Sequence, residues 1–176
     1  MNTATLRRKR RFVGNMRDRV EERLKSLGLE LPPCPVPVAA YVPAVGASGL
    51  LFASGQTPIV DGKLVYRGKV GREISVEQAY DGCRICALRC LAELKWAIGT
   101  LDRIERIVKV TGYVNSASGF EDQPKVVNGV SELLEQVFGD KGKHARAAIG
   151  VAELPGGAAV EVEVIALAKQ ACTSGS

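Results

Sequence analysis

The sequence predicts an α+β domain: one mixed β-sheet carrying two long helices on a single face. Three observations predict it. Residues 75–98 and 122–138 place apolar side chains at three- and four-residue spacings, one stripe per segment. From Tyr41 onward, short β-type runs bounded by glycine surround these helices. No linker-like stretch follows residue 40, so strands and helices must share one core.

The elements justify themselves in order. Residues 1–15 read as a basic tail. Up to Arg19 the chain holds seven basic side chains against Asp18 alone, a net +6, so the overall +5 leaves −1 for the rest. The tail has no apolar stretch of secretory length. Its arginine-rich composition fits an organellar transit segment, a nuclear-import patch or a solvated end, and the expected location is cytoplasmic or mitochondrial. Residues 16–40 divide into a helix and a connector. Val20, Leu24 and Leu27 give 16–27 one apolar side, and Gly28 stands in the stop position. Four prolines between 32 and 37 then rule out helix or central strand.

Residues 41–170 form the predicted domain. Leu50–Ser54 reads as a buried strand, and Asp61-Gly62 marks a hairpin between residues 59–60 and 64–66. Ser75 followed by Gln78 is a capping box. It opens a helix to Ile98 whose stripe is Ala79, Cys83, Cys86, Cys90, Leu94 and Ala97, and Gly99 ends it. Residues 107–114 alternate as a strand, Val108, Val110 and Val114 on one side and Lys109, Thr111 and Tyr113 on the other. The helix from about 122 to 138 tolerates Pro124 in its first turn and presents Val126, Val130, Leu133, Leu134 and Val137. Strands near 147–151 and 158–168 close the domain.

Composition narrows the functional classes. Hydrophobic residues at 46% and charged residues at 24% exclude disorder as a whole-chain description. No apolar run reaches the length of a transmembrane helix. A body with net −1 and only 5% aromatics argues against nucleic acid as a partner.

Most motif candidates fail on chemistry. Cys83, Cys86 and Cys90 share one helix stripe with alanine and leucine, which fits small buried hydrophobes better than a metal site. Residues 62–70 lack the spacing and hydroxyl of a phosphate-binding loop. His144 is the single histidine, with no nucleophile elbow to accompany it, and reads as an exposed loop residue. Two features survive. Arg146 enters a strand of small and apolar residues, where an arginine sits at a rim or faces an anion. Glu161 and Glu163 alternate with valines, so both carboxylates share one strand face, about 7 Å apart.

Three blocks together resemble one family. They are Phe52-Ala-Ser-Gly-Gln-Thr-Pro58, Ala145-Arg146 with Ala152, Leu154 and Pro155, and Val160-Glu-Val-Glu-Val-Ile-Ala166. They resemble the signature blocks of the reactive-intermediate deaminases, the Rid/YjgF family, also labelled endoribonuclease L-PSP. Residues 114–120 and 127–129 are similar to its central blocks, and the longer N-terminus resembles a distinct branch. The resemblance implies a chorismate-mutase-like fold, a homotrimeric barrel with clefts between subunits, and no metal or organic cofactor. It implies hydrolysis of 2-imino or enamine acids to 2-keto acids and ammonia. Arg146 would clamp the substrate carboxylate and Glu161 would position water. Tyr41, Ser54, Phe120 and Asn128 would line the cleft. Two positions depart from the family pattern: Ala148 replaces a cysteine and Gly150 an acidic residue. A non-catalytic ligand-binding or chaperone-like trimer, and a ribonuclease or translation inhibitor, are the competing classes.

Overall fold

The computed structural model describes residues 19–35 and 40–169. The predicted tail, the first residues of the predicted N-terminal helix and the end of the connector lie outside that set. The order of elements is α1 (Arg19–Ser26), β1 (Ala44–Ala47), β2 (Leu50–Ala53), β3 (Ile59–Val60), β4 (Lys63–Leu64), α2 (Val76–Ile98), β5 (Ile104–Asn115), α3 (Gln123–Phe138), β6 (Ala145–Val151) and β7 (Val160–Ala168). Five strands make one sheet in the order β1-β2-β7-β5-β6, antiparallel except for the β5–β6 pair. That parallel pair is bridged by α3, the crossover such strands need. This is the predicted mixed sheet, except that the β3–β4 hairpin stands outside it as a separate two-stranded sheet.

Local chemistry explains the elements. Ser75 accepts from the Gln78 amide while the Gln78 side chain takes the Ser75 amide, so the capping box starts α2, and Gly99 closes it. Asp61 and Gly62 both have positive φ, which gives the twist a two-residue hairpin requires. Ser48 and Gly49 turn the β1–β2 hairpin in the same way.

Both long helices lie on one face of the sheet. The core joins Cys83, Cys86, Cys90 and Leu94 of α2 and Val126, Val130, Leu133 and Leu134 of α3 with Val110, Val114, Val160, Val162 and Val164. The helices approach closely at Gly129, where any Cβ would overlap the Tyr80 carbonyl. Leu24 anchors α1 in the same core, and Arg23 Nε donates to the Gln136 carbonyl on α3.

Two details correct the sequence reading. Ala97 is exposed and leaves the α2 stripe after Leu94. Val108 does not share the core side with Val110. Ile107 pairs with Ala166 and Lys109 with Ile165, so Val108 is the extra residue of a β-bulge, and Ile107 takes its place in the core.

Candidate functional site

The arginine side of the site is built from β6 and α3. Arg146 is in register with Val110, which pairs in turn with Val164, so Arg146 shares the helix-covered face. Because β6 is the sheet edge, the side chain can reach over α3 while remaining exposed. Its Nη1 donates to Asn128 Oδ1 at 2.7 Å and to Ser131 Oγ at 3.1 Å. Asn128 and Ser131 are three residues apart and therefore neighbours on one helix face.

His144 completes this cluster, which corrects its reading as an exposed loop residue. The ring is half-buried, with Nε2 3.1 Å from Ser131 Oγ and Nδ1 2.6 Å from the Gly142 carbonyl. A carbonyl only accepts, so Nδ1 carries the proton and Nε2 accepts from Ser131. Burial holds the ring below the usual histidine pKa despite the Gly142 bond, and the Arg146 charge adds to that effect.

The glutamate side is built from β7 and the segment after β2. Glu161 pairs with Tyr113 across the sheet, on the face opposite Arg146. Gly55 lies against it, and a Cβ there would overlap the Glu161 carboxylate. Gln56 exchanges two backbone hydrogen bonds with Val162 and so clamps this segment to β7. Ser54 Oγ donates to the Val42 carbonyl at 2.8 Å, which ties it to the chain beside the exposed Tyr41. Burial raises the Glu161 pKa, and the neighbouring Glu163 raises it further. Glu163 accepts from the Tyr113 hydroxyl at 3.1 Å.

The predicted site residues therefore fall into groups. Arg146 and Asn128 touch. Glu161 lies against Gly55, and Ser54 is bonded to Val42, the residue after Tyr41. Phe120 is half-buried against Gly71, before α3. Gly150 is where it is because Gln123 fills its side-chain space: a Cβ would meet Gln123 Nε2 at 2.8 Å and Ser116 Oγ at 3.0 Å. The Gln123 side chain that occupies this space donates to Ser116 Oγ and the Phe120 carbonyl.

Glu93 escaped the sequence reading. It is 1% exposed on the core side of α2, and its Oε2 has no hydrogen-bond partner among the described residues. Gln56 Nε2 donates to its Oε1 at 2.7 Å, and Arg89 Nε donates to Gln56 Oε1 at 3.0 Å. Burial pushes the Glu93 pKa up to about 8, with Arg89 opposing the shift. The signal was its spacing: Glu93 stands seven residues after Cys86 and three after Cys90, on the stripe itself.

Among the described residues, no group of three or more His, Cys, Asp or Glu side chains is arranged to hold a metal ion. Cys83, Cys86 and Cys90 are fully buried, and burial raises all three thiol pKa values. No helix among the described residues is long and apolar enough to cross a membrane.

Comparison with known proteins agrees with this architecture. The family model described as "YjgF/chorismate_mutase-like, putative endoribonuclease" matches residues 21–167. Protein TCP17 of Trypanosoma cruzi is 41% identical over 148 residues, 84% of this chain and 92% of its own. A RutC family protein of Aquifex aeolicus is 36% identical over 142 residues, 79% of this chain and 97% of its own. The crystal structure of Atu1372 from Agrobacterium tumefaciens, a protein of unknown function, superposes with a TM-score of 0.81 at 42% identity. That match covers 86% of this chain and 94% of the other. The chain belongs to the YjgF/RutC family, also called Rid, and its fold is the α+β chorismate-mutase-like fold of that family.

Proposed function

We infer that this protein hydrolyses reactive 2-imino acids, with their enamine tautomers, to 2-keto acids and ammonia. The observation that carries the reading is the state of Arg146. One of its terminal nitrogens is tied to Asn128 and Ser131, while the rest of the guanidinium stays at the exposed strand edge. A planar cation held this way suits the carboxylate of an imino acid.

The chemistry needs little else. Water adds to the C=N carbon, one water proton passes to Glu161, and Glu161 returns it to the imine nitrogen, giving a carbinolamine. The carbinolamine then collapses to the ketone and expels ammonia. Glu161 is suited to this work because burial and Glu163 raise its pKa, making it a stronger base than an ordinary carboxylate. Orientation and a placed water supply most of the rate, since an imine is already prone to hydrolysis.

Arg146 and Glu161 lie on opposite sheet faces of one chain, so the working cleft in this proposal forms between neighbouring subunits of a closed homotrimer. The uncovered sheet face supports that assembly. Val45, Phe52 and Ile165 form one cross-strand row on it, and Leu50 and Leu167 a second. The test couples the purified protein to an amino-acid oxidase that generates the imine. Imine decay is followed by semicarbazide trapping, with Arg146→Lys as control. Faster decay with wild type only is the expected result; equal decay in both would remove the assignment.

A further inference from the structure

We propose that His144, acting through Ser131, is a positioning residue for Arg146, and that it leaves the Nε/Nη2 edge of the guanidinium as the edge a carboxylate takes. The inference rests on the reading of Arg146 as the carboxylate clamp and adds which edge is used and what holds it.

An arginine Nη carries two N–H groups. Nη1 of Arg146 spends both, one on Asn128 Oδ1 at 2.7 Å and one on Ser131 Oγ at 3.1 Å. The Nε–H and one Nη2–H remain parallel, and two parallel N–H groups form the fork that binds a carboxylate bidentately. The end-on edge, Nη1 with Nη2, is closed to a ligand as long as both Nη1 bonds persist.

Ser131 can serve Nη1 only while its oxygen, not its proton, faces the arginine. Its hydroxyl rotates freely unless something takes the proton. His144 Nε2 at 3.1 Å takes it, and the imidazole can accept there because the Gly142 carbonyl holds the ring proton on Nδ1. The order is therefore Arg146 N–H to Ser131 oxygen, Ser131 O–H to His144 Nε2, and His144 Nδ1–H to Gly142 oxygen. Reversing the ring tautomer would set an Nδ1 lone pair against the Gly142 carbonyl oxygen and turn the Ser131–His144 bond round, so that it no longer fixes the hydroxyl proton away from Arg146. His144 touches neither substrate nor the reacting atoms in this scheme.

His144 is the single histidine of the chain, so its ring nitrogens give unique NMR signals. The experiment compares wild type with His144→Phe, His144→Gln and Ser131→Ala, each checked for an unchanged melting temperature. In the unliganded wild type the ring is expected as the Nδ1–H tautomer, with slowed rotation of the Arg146 Nη1 group. That rotation should become fast in His144→Phe and Ser131→Ala. With imine generated in situ, His144→Phe should raise KM about five- to tenfold with kcat changed less than about twofold, the size expected for one lost hydrogen bond. His144→Gln, which can still accept from Ser131, should restore most of the affinity. Pyruvate, as a 2-keto acid probe, should bind more weakly to His144→Phe by the same factor. An Nε2–H tautomer, or unchanged Arg146 rotation in folded His144→Phe, would overturn the proposal. If wild type neither turns over imine nor binds pyruvate, the clamp reading fails by itself. The tautomer and rotation measurements still decide the positioning role.

Discussion

Arg146 and Glu161 leave opposite faces of the same five-stranded sheet. Arg146 is in register with Val110 and so with Val164, on the side the helices cover, whereas Glu161 is in register with Tyr113 on the uncovered side. The proposed function divides a single chain into two half-sites: a guanidinium edge tied to α3 by Asn128 and Ser131, and the Glu161 carboxylate against Gly55. What each half requires can be tested apart from the other.

The first prediction concerns the arginine half. Arg146→Lys should fold normally, because Arg146 is exposed at a sheet edge. It should lose ~30- to 1000-fold in kcat/KM, equivalent to roughly 2–4 kcal/mol of charge-assisted pairing, because lysine keeps the charge but not the fork. Steady-state kinetics on in-situ imine decide it, and full activity in the folded variant would show that the fork is not used.

The second concerns the glutamate half. Gly55→Ala places a methyl group where the Glu161 carboxylate lies. Either Glu161 swings away or the Gly55–Gln56 backbone shifts against its two bonds to Val162. We expect a loss of about 1–3 kcal/mol in stability by urea unfolding, typical of an overpacked site. Activity should fall further than that stability loss explains. A variant with wild-type melting and turnover would mean that Glu161 has room to spare and is not held by this segment.

Much of this was legible in the sequence where one local rule decided the outcome. The capping box at Ser75, the glycine stops and the Asp61-Gly62 turn each rest on a few adjacent residues, and each appears as expected. The cysteine stripe followed from helical spacing. What was not legible depends on partners distant in the chain. The bulge at Val108 arises from the pairing of β5 with β7, which strand alternation cannot anticipate. His144 looks like a loop residue until Ser131, thirteen positions earlier, is brought beside it. Glu93 is a charged residue inside an otherwise apolar stripe, so apolar periodicity passes over it. Its place on the stripe shows only when it is counted with the cysteines.

Glu93 yields the third prediction. Its pKa is about 8 in the folded chain, against 4.5 for an unperturbed glutamate. Between those values the folded state keeps a proton that the unfolded state has released. Stability from this group is therefore fully present below about pH 4.5 and lost as pH rises toward 8. Glu93→Gln keeps an amide oxygen for Gln56 but cannot ionise. Urea unfolding at pH 5, 7 and 9 should show wild type losing on the order of 2–4 kcal/mol more than the variant across that range. Parallel pH profiles would mean that Glu93 ionises without consequence for folding.

The fourth prediction uses the thiols. Cys83, Cys86 and Cys90 are fully buried with raised pKa values, so thiolate is scarce and reagent cannot reach it. Cys34 is only half-buried in the connector. In a Cys172→Ser background, a native disulfide-exchange reagent should modify Cys34 alone within minutes, and the other three only after denaturant is added. Mass spectrometry of the labelled peptides reads the result, and native labelling of any stripe cysteine would show that the core opens far more readily than its packing implies.

The last prediction is assembly. One sheet face is closed by α2 and α3, but the other presents Val45 at 53%, Phe52 at 41% and Ile149 at 43% exposure, with Ile165 and Leu167 half-buried between them. Three of these stand in a single row across β1, β2 and β7, so the apolar area is contiguous rather than scattered. A contiguous apolar face of this kind marks an interface, and α1 cannot cover it because Leu24 anchors that helix in the core shared with α2 and α3. Packing the same face against equivalent faces around a threefold axis would bury it in a closed assembly that cannot extend into fibres. That contact would also set the Glu161 half-site of one subunit toward the Arg146 edge of the next, joining the two halves that one chain keeps apart. Phe52→Glu places a charge in the middle of the row while leaving the helix-side core untouched, so the chain should stay folded. Light scattering should then show wild type at three times the chain mass and the variant at the mass of one chain, with imine turnover lost in the variant. A wild type that runs as a fully active monomer would refute both the assembly and the shared cleft.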